Sequence, residues 1–395
     1  MRVIFTNRTT QDRILTLLES DFTGVSIEHT IDDFSSCSLS FAPVGNMTVI
    51  DKSIAPFDNI YIEDDDKKIV FGGVVVNYRI NRSGGQINAI DHRWLLSRFV
   101  TDSDIVISQN SEIETVVKDL VNLAKSKRII PIIFDEENSE LNPDYFTEQT
   151  FKLGSNIAAC IQKIIQSVYA RWAIRYEWSG DAIVGRLILR SVRGISPEGV
   201  GISRTGYQTE DGTKILLMYQ EGNSRNNLED FDYVLDAAQY TSRTKVGYKN
   251  GGVGTIKNVP AFDFSATLEY LLGAAESFVS DYNIDSEDAA IQIGRLNQTP
   301  IRQDFTVTIS PDIHLDLNCG DRVALFIDTP ILKTNTEYQV RIDSISMERK
   351  EGYFTKKMLL NSMSPIKRIG TSDLLAKINS TGSKVSDIDI SYLNS

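Results

Sequence analysis

Apolar and polar positions follow different periods in different parts of the chain. A period of two dominates the first hundred residues and is clearest over Val74–Ile80, where apolar positions alternate with mixed ones. The charged stretch Glu63–Lys68 and the residues Ser83-Gly84-Gly85 supply turns between such runs. The pattern predicts consecutive hairpins that form an antiparallel sheet or a small barrel. The other strands predicted here are Val3–Phe5, Val25–His29 and Ser36–Phe41.

The period becomes helical near residue 110. Apolar residues at helical spacing predict a helix over 113–124, and Ser111 with Glu114 forms a capping-box pattern in front of it. A second helix is predicted over 155–168. The strands predicted after it are Arg171–Trp178 and Ile183–Arg190.

The last third of the chain returns to β character. Residues Tyr233–Lys249 have strand composition, and apolar spacing then predicts a third helix at about 263–279 with Asp263 as a candidate N-cap. After residue 300 the alternation resumes. Its phase slips by one residue between Ile342 and Ile345, which predicts a β-bulge.

One β pattern occurs twice, far apart in the sequence. Phe57–Phe99 and Cys319–Asn361 each contain a strand bearing an Asp, a break, a long strand, a turn and a final strand. Asp58-Asn59-Ile60 corresponds to Asp321-Arg322-Val323, whereas Gly72-Gly73 has no counterpart. Any two antiparallel meanders share part of this pattern, so the sequence leaves both a true repeat and a chance similarity open.

These patterns predict an α+β fold that is mainly antiparallel β. A chain of 395 residues is long enough for two to four domains. The predicted divisions are an N-terminal β-barrel domain at 1–100, an α+β middle domain at 101–230, a second β-rich domain at 231–365 that holds the third helix, and a polar tail at 366–395.

Composition narrows the possible functions. The net charge of −12 argues against a general nucleic-acid binder, because phosphate binding needs clustered Lys and Arg. Cys37, Cys160 and Cys319 are too far apart for a metal motif or a disulfide framework, which indicates synthesis in a reducing compartment. No apolar run approaches the length of a signal peptide or a membrane span.

Candidate sites for chemistry are few. Glu63-Asp64-Asp65-Asp66 has oxygen ligands for a hard cation but lacks calcium-loop spacing, so a solvated hairpin tip is the better interpretation. The acidic loop Asp135-Glu136-Glu137 is interpreted in the same way. The stretches 194–199 and 201–206 are one residue too long for a G-x-S-x-G nucleophile motif. Asn250–Gly254 is glycine-rich but lacks the Lys of a phosphate loop and predicts a turn.

The histidines also lack a catalytic or metal-binding pattern. His29, His92 and His314 are isolated, and Asp91 beside His92 is interpreted as a helix N-cap rather than a catalytic carboxylate. A pair of carboxylates suited to glycoside hydrolysis is not visible in sequence. We therefore assign no catalytic, metal-binding or cofactor-binding residue and expect no cofactor.

A resemblance emerges from the first of the two repeated stretches. Phe71-Gly72-Gly73-Val74-Val75 and Asn88-Ala89-Ile90-Asp91 leading into Leu95-Leu96 resemble the N-terminal domain of phage tail hub proteins. Asn59-Ile60-Tyr61-Ile62 stands where the family usually has G-D-x-V, which is intact at Gly320-Asp321-Arg322-Val323.

The resemblance implies a structural protein of a virion tail tip or baseplate, made in the host cytoplasm. Such hubs carry two tube-like β-barrel domains per chain, and three chains then present six barrels to a six-fold tail tube and a three-fold face to fibres or spikes. The implied partners are a homotrimer of this chain, the tail tube or distal tail protein, the tape-measure protein and fibre or spike proteins. The resemblance further implies that DNA passes through such a ring on ejection, without specific binding. The chain has no extension resembling a cell-wall hydrolase or receptor-binding domain, so we expect a bare hub.

Two other functions stay open at this point. A cell-wall or polysaccharide hydrolase of a tail baseplate requires a cleft with two nearby carboxylates. A carbohydrate-binding adhesin requires a glycan-binding surface. A zymogram on cell-wall substrate and a glycan array, respectively, would detect them.

Overall fold

The computed structural model describes most of the chain. The described residues are 1–30, 33–42, 53–81, 84–108, 111–137, 139, 149–167, 170–191, 216–223, 226–236, 238, 240–260, 273–280, 286–298, 302–310, 317, 319, 321–330, 332, 334, 339–350 and 353–362. The predictions for 194–206, Asp263, His314 and the tail at 366–395 lie outside them.

Strands make up most of the described structure, and four α-helices and a short 3-10 helix (Glu19–Asp21) accompany them. The strands of the N-terminal part are β1 (Arg2–Thr6), β2 (Arg13–Leu18), β3 (Gly24–Thr30), β4 (Ser36–Phe41), β5 (Asn59–Glu63), β6 (Ile69–Asn81) and β7 (Gly84–Asp91). The middle elements are α1 (Arg93–Leu96), β8 (Ile105–Ile107), α2 (Ile113–Lys127), β9 (Ile132–Phe134), β10 (Gln149–Phe151), α3 (Ile157–Ser167), β11 (Ala170–Ser179) and β12 (Ala182–Ser191). The remaining elements are β13 (Leu216–Gln220), β14 (Leu228–Asp236), β15 (Arg243–Asn250), β16 (Val253–Val259), β17 (Glu276–Ser280), α4 (Glu287–Leu296), β18 (Arg302–Ile309), β19 (Arg322–Asp328), β20 (Gln339–Lys350) and β21 (Tyr353–Ser362).

One large sheet contains both the first and the last described strands. It has 13 strands in the order β14-β18-β21-β20-β3-β4-β7-β6-β5-β1-β2, with β19 beside β20 and β13 beside β19. All pairs are antiparallel except β13 with β19. The prediction of a mainly antiparallel β fold is confirmed. Among the described strands the sheet does not close into a barrel, since its order ends at β14 and β2.

The sheet contains the same five-strand arrangement twice. The first repeat unit has the spatial order β5-β6-β7-β4-β3, and the second has the order β19-β20-β21-β18-β14. The strands also follow the same order along the chain, except that β15, β16, β17 and α4 are inserted after β14 in the second unit. The meander predicted at both ends of the sequence is therefore part of a larger repeat.

The two repeat units agree in register as well as in order. The amide of Val75 donates to the carbonyl of Asp58 at 2.9 Å, and the amide of Ile342 donates to that of Asp321 at 3.0 Å. The bulge of the long strand follows immediately after Val75 in the first unit and immediately after Ile342 in the second. The predicted correspondence of Asp58 with Asp321 and the predicted bulge after Ile342 are confirmed. Counterparts in the other strands are Ile27 and Tyr233, Cys37 and Phe305, and Ala89 and Leu360.

The units meet where β3 pairs with the second half of β20. This junction runs from Ser344 opposite Thr30 to Glu348 opposite Ser26. At its end, Arg349 donates to the Glu19 carboxylate at 2.7 and 2.8 Å and reaches Asp65 at 3.3 Å. Apolar side chains of both units share one continuous core beneath the junction.

The middle part forms a second, α/β core. In α2 the buried positions Ile113, Val117, Leu120, Val121 and Ala124 have the i, i+4, i+7 spacing of one helix face. They pack with α3 and with β9, β11 and β12, which form a three-stranded sheet. The two predicted helices and two predicted strands of this part are therefore present.

Two predicted helix starts differ from the structure. The N-cap of α2 is Glu112, and its side chain makes no capping hydrogen bond, so the predicted capping box of Ser111 and Glu114 is wrong. Ser111 Oγ instead accepts the Ser108 amide hydrogen at 3.2 Å. The N-cap of α1 is His92 rather than Asp91, although the Asp91 carboxylate does accept the Arg93 amide hydrogen at 2.8 Å.

The third predicted helix is wrong at its C-terminal end. Phe278 lies in β17, which pairs in parallel with β15, and residues 261–272 lie outside the described part. Gly273 has φ +88, a left-handed conformation that stops a helix, and the chain then alternates in exposure from Glu276 to Ser280. A helix that is described after this point is α4, which packs on β15 and β16 through Ala290.

Candidate functional site

The large sheet presents one polar face, which lies opposite its core. Along β4, for example, Cys37, Leu39 and Phe41 are buried in the core, and the intervening serines point the other way. On β5 and β19 the side opposite the core is itself covered, since Tyr61 packs with Ile183 and Phe326 packs with Met218. We call the remainder of that side, on the other strands of both repeat units, the polar face. Its described members include Ser26, Glu28, Ser36, Ser38, Ser40, Asn77, Arg79, Gln86, Asn88, Asp230, Asp232, Val234, Asp304, Thr306, Thr308, Ser344, Ser346, Glu348, Lys357, Leu359 and Asn361.

Hydroxyl and amide groups dominate this polar face, and carboxylates outnumber cationic groups on it. Cross-strand hydrogen bonds join the amides: Asn88 donates to Asn77 at 2.8 Å, and Asn361 donates to Asp304 at 2.9 Å. Gln86 donates to the Ser38 hydroxyl at 2.6 Å. Short polar side chains held in this way make a smooth surface with few cations, which offers little to a phosphate backbone.

A buried ion pair fixes the first repeat unit to the α/β core. Arg93 is 1% exposed and Asp91 0%. The guanidinium of Arg93 donates to the Asp91 carboxylate at 2.7 Å, to the carbonyl of Trp172 at 2.9 Å and to the carbonyls of Asp33 and Thr30 at 2.8 and 3.1 Å. Burial opposes the charge of Arg93, but the Asp91 carboxylate outweighs it and the pKa of the guanidinium is raised. One side chain thus joins three segments of the chain.

His92 completes this junction in its neutral form. Its ring nitrogens lie 3.2 Å from the Tyr176 hydroxyl and 3.0 Å from the Asn59 amide oxygen. Burial lowers the pKa of His92 to about 3 and raises that of Tyr176 well above its usual value. These groups are locked in hydrogen bonds rather than arranged around an open cleft, so the geometry favours a structural role for them.

The glycine pair at residues 72 and 73 makes room for this junction. A Cβ at Gly72 would lie 2.5 Å from the Tyr176 ring, and one at Gly73 would lie 2.3 Å from the carbonyl oxygen of Ile90. The motif Phe71-Gly72-Gly73 is therefore explained by close packing of β11 and β7 on β6.

The acidic turn Glu63–Lys68 has one buried carboxylate at its start and exposed carboxylates at its tip. Asp65 and Asp66 are exposed at the hairpin tip, as predicted. Glu63 is 2% exposed, accepts two hydrogen bonds from Arg2 at 2.8 Å and accepts one from the Trp178 indole at 3.1 Å. The turn thus anchors the N-terminus at one end and contacts Arg349 at the other.

The acidic loop and the glycine-rich stretch that the sequence offers as candidate sites lie in separate parts of the structure. Asp135 is 6% exposed beside Arg186, and Glu136 pairs with Lys118 at the surface. Asn250 and the two glycines after it form the β15–β16 hairpin turn. Across the described ranges, no group of three or more His, Cys, Asp or Glu side chains could hold a metal ion.

The three cysteines are buried thiols. Burial raises the pKa of each, that of Cys319 to about 12, so they are weak nucleophiles. Of the tryptophans, Trp172 is 2% exposed in the α/β core. Trp94 and Trp178 are partly buried.

Comparison with known proteins identifies the fold. No protein-family model and no curated protein sequence matches the chain. Among solved structures, a tail protein from Neisseria meningitidis has a TM-score of 0.53 and 12% identity over 91% of this chain and 96% of its own. The 43 kDa tail protein of prophage MuSo2 from Shewanella oneidensis has a TM-score of 0.53 and 10% identity over 92% and 99%. A prophage tail protein from Listeria monocytogenes has a TM-score of 0.51 and 11% identity over 96% and 100%.

The chain has the fold of phage tail proteins. The match covers almost the whole length of both partners, so it includes both repeat units and the α/β core. It confirms the sequence resemblance at the level of the fold. At identities of 10 to 12% the likeness extends to the fold and not to partners.

The helices give no sign of a membrane span. Within the described residues, none is both long and apolar enough to cross a bilayer.

Proposed function

We propose that this protein is the hub of a phage tail tip or baseplate, a homotrimeric ring between a six-fold tail tube and three-fold distal components. The observation that carries the proposal is the pair of repeat units, which share strand order, register and bulge position. A chain with two equivalent units can occupy two of six positions in a ring. Three chains then satisfy a six-fold neighbour on one side and a three-fold one on the other.

The predicted domain divisions fit this proposal. Residues 1–100 would supply one tube-like unit and 231–365 the other, with the α/β region at 101–230 attached through Arg93 and His92. The tail tube or distal tail protein, the tape-measure protein and the fibres or spikes are the proposed neighbours.

The polar face suits a channel lining. Its hydroxyl and amide groups and its excess of carboxylates would let DNA pass without holding its phosphates. The neutral, buried state of His92 and the high thiol pKa values favour structure over catalysis, and we propose that the chain is not an enzyme. A zymogram on cell-wall substrate would reveal a hydrolase if this is wrong.

Imaging of assembled particles tests the proposal. A label fused to the C-terminus should appear at the tail tip or baseplate, in three copies arranged about the tail axis. A label that is absent from tails, or that runs along the tube, would refute the hub assignment.

A further inference from the structure

The edge of β14 and the edge of the second half of β6 lack a partner strand among the described strands. The equivalent edges of the other repeat unit are paired with each other at the internal junction. β14 ends the order of the large sheet, so among the described strands only β18 lies along it. β6 pairs with β7 along its whole second half, but β5 and the two residues before it cover its other edge only as far as Val75. The counterpart of β14 in the first unit is β3, and the counterpart of β6 in the second unit is β20. β3 and β20 pair with each other.

Burial of the core-facing side chains follows the same difference. At the internal junction these side chains are buried: Val25 is 2% exposed, Ile27 0% and Ile345 4%. Their counterparts at the two edges, Phe231, Tyr233 and Tyr78, are only partly buried against the core. The partly exposed aromatic side chains of Phe231 and Tyr233 on β14 and Tyr78 on β6 suit a further strand laid along each edge.

We propose that β14 of one chain pairs in antiparallel fashion with residues 77–81 of β6 in the neighbouring chain, and that this pairing closes the hub ring. The proposal rests on the trimeric hub proposed above and names the contact that builds it. The occupant of each edge is a second copy of this chain, because the internal β3–β20 junction is a ready template for it. Because the edge of β14 pairs with a different edge, that of β6, the contact between chains is head-to-tail. Such a contact generates a closed ring when the rotation that relates successive chains adds up to a full turn.

The template also gives the register. At the internal junction Ser346 lies opposite Glu28. The counterpart of Ser346 is Arg79, and the counterpart of Glu28 is Val234. Arg79 should therefore lie directly opposite Val234 of the neighbouring chain.

Charge and exposure at these positions suit the contact. Arg79 and Asp232 are exposed on the polar face, and Val234 is 45% exposed. In the proposed register the aliphatic part of Arg79 covers Val234, and its guanidinium lies diagonally across from Asp232. Directly opposite and diagonal pairs of this kind stabilise antiparallel strands, and opposite charges favour them.

Disulfide trapping tests the register in the full chain. In the Arg79→Cys/Val234→Cys variant, the two Cα atoms would be about 4.5 to 5.5 Å apart across the strands, within the range of a disulfide. In the control Arg79→Cys/Asp232→Cys the pair is diagonal, at about 7 to 8 Å, which is too far. The native cysteines are all buried and should not compete.

The expected result is a covalent trimer of the first variant on a non-reducing gel, with at least tenfold less from the control. Native mass spectrometry of the same samples separates the two proposals. A non-covalent trimer without the disulfide, or equal cross-linking of both variants, overturns the strand pairing and leaves the hub standing. A monomer in both assays overturns both.

A charge reversal gives an independent readout. Arg79→Glu should raise the concentration for half-assembly roughly tenfold or more, because it faces Asp232 with a like charge. Adding Asp232→Arg should restore assembly. Failure of this second change to rescue the first would contradict the proposed register.

Discussion

Arg93 should be among the most sensitive positions of the fold, and its replacement by Met tests the junction between the first repeat unit and the α/β core. The change removes the guanidinium and retains an unbranched chain of similar length. Asp91 would keep the backbone amides of Ser35 and Arg93 as donors but would lose its only described cationic partner within hydrogen-bond reach. The carbonyls of Trp172, Thr30 and Asp33 would each lose the guanidinium as a donor.

Breaking a buried ion pair by removing one partner costs about 3 to 5 kcal/mol. Domains unfold with about 5 to 15 kcal/mol, so the loss should be large enough to shift the urea midpoint strongly. Trp172 lies 5.6 Å from the guanidinium carbon of Arg93, and its fluorescence reports the transition directly. Replacement of the exposed Arg13 by Met is the matched control and should change stability by about 0.5 kcal/mol or less.

A double-mutant cycle isolates the pair itself. Asp91→Asn together with Arg93→Met should cost less than the two single changes added, by about 1 to 3 kcal/mol, because the double variant buries no unpaired charge. A loss below about 1 kcal/mol for Arg93→Met, or strict additivity in the cycle, would refute the role assigned to this pair.

Two other predictions concern the same junction. Gly72→Val should lower thermal stability by about 1 to 3 kcal/mol, because its side chain would press on the ring of Tyr176, whereas Gly24→Ala, where a Cβ meets nothing within 4 Å, should be nearly neutral. Equal melting temperatures for the two variants would contradict the packing argument. His92 has a pKa of about 3 when folded and about 6.5 when unfolded, so the unfolded state binds more protons between these values. Its contribution is complete above pH 6.5 and falls as the pH drops, by about 2 kcal/mol at pH 5. The His92→Gln variant should show a smaller loss between pH 7 and 5, and an unchanged loss would show that His92 is not responsible.

Local patterns predicted the repeat units well. In β4, strict alternation of small polar and apolar residues predicts the strand with the bounds that the structure has, Ser36–Phe41. The bulge after Ile342 was visible as a slip of the apolar phase, because a period-two pattern registers a single extra residue. Such signals depend only on neighbours in sequence.

Long-range pairing could not be predicted in this way. β3 and β20 are more than 300 residues apart, and their pairing depends on where the intervening chain places them. The apolar spacing around Phe278 fitted a helix, but Gly273 in a left-handed conformation and pairing with β15 decide for a strand. The shorter α4 was missed, although Glu287 and Asp288 in its first turn and Arg295 in its last are the charge signals of a helix.

The buried junction was also beyond the sequence. The sequence predicts Asp91 as a helix cap, and Asp91 does accept a backbone amide hydrogen, as a cap would. Its pairing with a fully buried Arg93 depends on carbonyls from three separate segments, which no spacing in the sequence brings together. The tight fit of Gly72 against Tyr176, more than a hundred residues away, is of the same kind.

The mass of the assembled protein tests the central claim most directly. Native mass spectrometry of the purified chain, or of the hub released from tails, should give three times the chain mass of 44.2 kDa. Three chains place six repeat units in the ring, which is what two units per chain are proposed to achieve. A hexamer would give twelve units, and a chain that stays monomeric and never enters a tail would give none in a ring; either result would contradict the account.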